Sequence, residues 1–121
     1  MSFAAVIAVG VVGGLGAIGR FALDGAVGGR VKGVFPYGTL VVNLSGAFVL
    51  GILVGGAVGE STYRIAGTGL IGAFTTFSTW TFETHRLAED GELSQAALNV
   101  GVSLDAGLLA AWAGQQVGGL M

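Results

Sequence analysis

Most of this chain is taken up by apolar stretches of about 20 residues, the length a helix rising about 1.5 Å per residue needs to cross roughly 30 Å of hydrocarbon. Only short polar segments separate them. Charge points the same way: of 121 residues, 10% are charged and 53% hydrophobic, too little charge to cover a water-soluble globule. The five Lys and Arg are scattered, so no basic patch exists to neutralise a phosphate backbone, and nucleic acid is excluded as a partner. The absence of Cys removes disulfides, thiolate metal sites and thiol nucleophiles together.

Four spans are expected, at about residues 3–23, 39–58, 65–82 and 96–117, giving an all-α membrane protein with one four-helix domain over 1–121. No Lys or Arg precedes the first span and no small-residue cleavage site follows it, so it is expected to be retained. The Gly-rich segment 24–36, closed by the only proline, reads as the first loop. Glu60, Ser61, Thr62 and Arg64 form a polar turn, and the charged stretch 83–92 leads into the fourth span. Arg30, Lys32 and Arg86 follow the first and third spans, with Arg20 near a helix end, whereas the other side carries Arg64. The positive-inside rule then puts those two loops in the cytoplasm and both termini outside.

Many of the 24 glycines sit at i, i+4 on the expected helices: Gly10 and Gly14, Gly51, Gly55 and Gly59, Gly114 and Gly118. Small ridges let helix backbones approach closely, within one chain or between copies, and the pattern leaves both open. Four short helices enclose a small interior, so oligomerisation is expected.

Function is to be sought where polar groups sit at membrane depth, because an unsatisfied group there costs several kcal/mol. Asn43 places a carboxamide inside the second span, either as interhelical glue or as a donor to something else. The third span runs from Gly67-Thr68-Gly69 into five hydroxyl residues among the seven from Thr75 to Thr81. Hydroxyls that bond nearby backbone groups, together with glycines, weaken the helical ladder, so a break in mid-span is expected, freeing carbonyls suited to a hard cation. Phe77 and Trp80, at i, i+3, share a face and could present electropositive ring edges to an anion. Asn99 and Ser103, at i, i+4, would continue a line of donors along the fourth span. Asp105 lies near the middle of that span, on a different face, and must be protonated, paired or wet.

Three segments in order, Gly-Ala-Ile-Gly-Arg-Phe (16–21), Gly-Thr-Leu-Val-Val-Asn-Leu-Ser-Gly-Ala-Phe (38–48) and Gly-Ala-Phe-Thr-Thr-Phe-Ser-Thr-Trp (72–80), resemble the Fluc fluoride channels of the CrcB family. The resemblance covers nearly the whole chain. It implies two four-helix subunits packed antiparallel in the plasma membrane, the third helix of each broken, with two fluoride pores and a central sodium ion. Transport would be passive, exporting fluoride. By position, Asn43 would line the pore, Phe77 would be the first ring of an aromatic box, and Ser78, Thr79 and Ser103 would belong to a polar track. Gly72 and Thr75 would offer backbone carbonyls to sodium. Arg20 would match a basic residue at a vestibule, and Glu83 an acidic residue below the aromatic box. Two positions depart from the family: Trp80 stands where a second phenylalanine is usual, and Asp105 is unusual.

The charge asymmetry also admits a pairing with an oppositely oriented paralogue in place of a homodimer. A small multidrug antiporter has four short helices too, but needs an acidic residue inside its first helix, and none precedes Asp24 here. A membrane hydrolase using Ser78, His85 and Asp105 would require the fold to bring those three together, which nothing in their spacing does.

Overall fold

A computed structural model describes residues 2–121, apart from the side chains of Ser61 and Arg64. The side chain of Arg64, counted above toward the charge asymmetry, thus lies outside the described residues. Helix α1 (Phe3–Arg30) opens on Ser2, whose hydroxyl accepts from the Ala5 amide at 3.1 Å. The helix continues past the expected end at residue 23, so the segment 24–30, read as loop, is helical. Each glycine there costs about 1 kcal/mol relative to alanine, but extending an existing helix adds a hydrogen bond per residue with no nucleation cost. The chain leaves the helix just beyond, where Gly33 adopts φ +135° and Pro36 precedes the next element.

Helix α2 (Tyr37–Gly55) stops a few residues before the expected 58. The expected third span is not one regular helix. It is built from α3 (Glu60–Thr62), a π-helical segment (Tyr63–Ile71), α4 (Gly72–Phe74) and α5 (Phe77–Glu89). Between α4 and α5, Thr75 and Thr76 are extended, at φ/ψ −79/160° and −147/119°. The break falls in the hydroxyl-rich run. Helix α6 (Leu93–Gly119) follows a tight turn at Gly91, φ +81°.

Among the described residues, α1, α2 and α6 are each long and apolar enough to cross a membrane. The chain is a multi-pass membrane protein. Its large apolar side chains point outward, Phe3, Val11 and Phe21 on α1 and Leu108, Leu109 and Trp112 on α6, as expected where the solvent is lipid.

Backbone, not side chains, makes the closest contacts between helices. A Cβ at Gly51 would meet the Ala111 carbonyl and one at Gly55 the Gln115 carbonyl, while Gly114 and Gly118 lie against the carbonyls of Phe48 and Ile52. Gly51, Gly55, Gly114 and Gly118 are therefore consumed in packing α2 on α6. Likewise a Cβ at Gly16 of α1 would meet the Leu70 carbonyl, and one at Gly69 would stand 3.1 Å from the Val9 carbonyl. Gly10, Gly14 and Gly59 face nothing within 4 Å.

Candidate functional site

The break between α4 and α5 is held open by side chains. Thr76 is the N-cap of α5, its hydroxyl accepting from the Thr79 amide at 3.2 Å. Its own backbone is claimed from another helix: Asn43 Nδ2 donates to the Thr76 carbonyl at 3.0 Å, and the Thr76 amide donates to Asn43 Oδ1 at 2.8 Å. Gly46, one turn beyond Asn43, lies directly against the Thr75 methyl group, so a side chain there would push the break away from α2.

These substitutions of partner leave carbonyls without their helical donors. In an unbroken helix the Thr76 amide would serve Gly72 and the Thr79 amide would serve Thr75. Here both amides go to side-chain oxygens, and Gly72 is exposed. The oxygens freed belong to the two residues whose carbonyls were singled out above.

Beside the break lies a cavity of about 390 Å³ whose lining includes Asn43, Gly72, Thr75, Thr76, Phe77, Trp80 and Ser103 and contains no charged side chain. The Phe77 and Trp80 rings meet edge to face, centroids 5.5 Å apart at 85°. Phe77 is 68% exposed. The Trp80 indole N–H is not free: it donates to the Asn99 carbonyl at 3.2 Å. Asn99 is fully buried, its Nδ2 donating to Thr84 Oγ1 at 2.8 Å and its Oδ1 lying 3.5 Å from the Ser103 hydroxyl.

Other candidate residues lie elsewhere. Ser78 and Thr79 sit in the first turn of α5 without lining the cavity, the Ser78 hydroxyl lying 3.5 Å from that of Thr76. Arg20 is half-buried on α1 and makes no ion pair among the described residues. Asp105 is exposed on α6, also without a partner there. His85 is engaged with Glu89 on the surface of α5 at 3.2 Å, so it does not join Ser78 and Asp105.

Glu83 lines a separate cleft of about 300 Å³ with Phe35, Pro36, Arg86 and Asp90 at the charged end of α5. Its Oε1 and the hydroxyl of Thr39, a residue only 2% exposed, are both buried without hydrogen-bond partners. Burial raises the Glu83 carboxyl above its ordinary range. The Asp24 charge pushes it further up.

Sequence reasoning missed three positions that build this site. Gly46 and Thr84 carried no distinguishing signal, and Thr76 was one hydroxyl among five. The cap pattern, a Thr immediately before a helical run, was the one signal that pointed to Thr76.

Fold and site together define a small, multi-pass helical membrane protein with a discontinuous helix beside an uncharged cavity. Residues 7–115 match the family described as CrcB-like protein, Camphor Resistance (CrcB). The chain is 49% identical over 115 residues to a Mycolicibacterium paratuberculosis protein named fluoride-specific ion channel FluC 2, covering 95% of this chain and 94% of the relative. It is 40% identical over 114 residues to FluC of Geobacter sulfurreducens, covering 90% and 92%. With FluC 1 of Symbiobacterium thermophilum it shares 39% over 118 residues, covering 93% and 95%. The chain belongs to the CrcB family. Those relatives are named as channels, not as enzymes.

Proposed function

We propose that this protein is a fluoride channel of the plasma membrane that lets the ion leave the cytoplasm passively. The observation that carries the reading is the cavity beside the break, where two aromatic rings and the neutral side chains of Asn43 and Ser103 converge with no fixed charge. Close relatives with fluoride-specific names support it. Fluoride is small and strongly hydrated, so a path for it must replace water with several donors, while a fixed cation would hold it too long. Asn43 has one Nδ2 proton left after its bonds to Thr76, the Phe77 ring edge adds to it, and the Ser103 hydroxyl would turn its proton to the ion from its long 3.5 Å bond to Asn99 Oδ1. Ser78 and Thr79 extend the polar track from the first turn of α5. Arg20 draws anions toward one mouth, and Glu83 stands at the charged end of α5.

In this reading the pieces within 65–82 make the third of four spans, since about 20 helical residues suffice to cross. The working unit is an antiparallel dimer with two pores. Exposed carbonyls at membrane depth must be covered by protein or water, which favours a second subunit over the break. The Gly72 and Thr75 carbonyls suit a hard monovalent cation in donor type, and two such pairs, one from each subunit, would hold a sodium ion. That ion would tie the two breaks together.

A second reading makes the chain one half of a heterodimer with an oppositely oriented paralogue. Its support is the numbering of relatives as FluC 1 and FluC 2 and the charge asymmetry of the loops. Fluoride efflux from liposomes holding this purified chain alone, with chloride for comparison, tests both. Fast fluoride-selective efflux, lost in Phe77→Ile and Asn43→Asp, is expected of the homodimer. No efflux from folded protein, restored by a co-expressed paralogue, would give the second reading, and no efflux in either case would reject the channel.

A further inference from the structure

Helices α5 and α6 are joined by a closed circuit of hydrogen bonds around Trp80. The indole Nε1–H donates to the Asn99 carbonyl at 3.2 Å, Asn99 Nδ2 donates to Thr84 Oγ1 at 2.8 Å, and the Thr84 hydroxyl donates to the Trp80 carbonyl at 2.8 Å. Each step has a matched donor and acceptor, and Asn99, at its centre, is fully buried. A buried carboxamide in apolar surroundings keeps its bonds because no water can replace them.

We propose that Asn99 and Thr84 are positioning residues that lock the Trp80 indole in one orientation, making it a fixed wall of the cavity that sets ion selectivity. The geometry separates two roles an indole can play. Its N–H is committed to a carbonyl, so it offers the passing ion no hydrogen-bond donor. What faces the cavity is ring surface and edge, held at 85° to Phe77. A phenyl ring in the same place has no such anchor and turns about its own axis. The circuit also reaches the cavity by a second route, since Ser103 lies 3.5 Å from Asn99 Oδ1. Thr84 and Asn99 therefore act on selectivity through Trp80, without Thr84 touching the path itself.

The selectivity part rests on the channel reading, and the locking of the indole does not. Trp112 is the only other tryptophan, exposed on α6, so a Trp112→Phe background leaves Trp80 as the sole reporter. In that background, time-resolved fluorescence anisotropy should show a rigid indole, loosened in Thr84→Val, which keeps the shape but neither donates nor accepts, and restored in Thr84→Ser. Without any change to the circuit, the indole proton of Trp80 in the otherwise native chain, assigned by its loss in Trp80→Phe, should exchange with solvent far more slowly than that of a free indole. A mobile indole or fast exchange in the native chain would overturn the proposal, as would unchanged anisotropy in folded Thr84→Val. In liposomes, Thr84→Val should lower the fluoride-to-chloride efflux ratio severalfold when Trp80 is present and leave it unchanged in a Trp80→Phe background. An equal loss in both backgrounds would show a merely structural role and overturn the positioning. A rigid, slowly exchanging indole in a chain that conducts nothing with or without a paralogue would leave the lock standing and defeat the channel reading instead.

Discussion

Asn43 and Thr76, 33 residues apart, pair as one peptide group pairs with another: the carboxamide gives a proton to the Thr76 carbonyl at 3.0 Å and takes one from its amide at 2.8 Å. One side chain thus stabilises the extended backbone at the break and removes the donor that the Gly72 carbonyl would otherwise have. The interhelical glue and the interruption of the helix are the same pair of bonds.

Replacing Asn43 by Asp puts an oxygen opposite the Thr76 carbonyl, and replacing it by Ala leaves two part-buried backbone groups without that partner, at up to about 1 kcal/mol each. Both variants are expected to unfold at clearly lower temperature than the native chain in detergent, with Asp lower at neutral pH than in acid, where its protonated oxygen can donate. Equal unfolding temperatures for all three would show that the pair contributes nothing.

The α2–α6 contact predicts a sharp contrast among glycines. Gly51→Leu and Gly114→Val drive a side chain into the carbonyls of Ala111 and Phe48, and backbone cannot give way as a flexible side chain can. Neither variant is expected to give a monodisperse peak on gel filtration. Gly25→Ala, on a helical glycine with nothing within 4 Å, should behave as the native protein or gain up to about 1 kcal/mol from helix propensity. Monodisperse Gly114→Val would contradict the close approach.

Glu83 makes stability depend on pH in a definite direction. Its carboxyl is raised above the ordinary value of 4.5, chiefly by burial, so the folded state favours the protonated form. The contribution is fully present below about pH 4.5 and is lost as pH rises through the raised value. Unfolding temperature followed from pH 4 upward should fall more steeply in the native chain than in Glu83→Gln, whose amide has no charge to bury. Parallel curves for the two would remove this role from Glu83.

Periodicity alone carried the sequence reading a long way. Apolar length located α1, α2 and α6, and the crowding of hydroxyls and glycines pointed to an interruption within 65–82, which falls at Thr75 and Thr76. The i, i+3 spacing brought Phe77 and Trp80 together before any coordinates did. What escaped was decided by helix rotation and by backbone. The Asn43–Thr76 pair depends on how α2 turns toward the break, which Gly46 permits by lacking a side chain. The acceptor for the Trp80 indole is a main-chain carbonyl, which every residue possesses, so no pattern of residue types announces it. Glycines at 25, 28 and 29 read as loop because their propensity is poor, yet a helix already under way runs through them to Arg30.

The first turn of α5 is fastened twice, to α2 through the backbone of Thr76 and to α6 through the ring of Trp80. An interrupted helix is where a hinge is usually sought, since an extended pair of residues bends at little cost. Here that joint is trussed on both sides, and moving it means moving three helices at once. The pocket it frames is accordingly braced, and widening or narrowing its mouth requires all three helices to shift together.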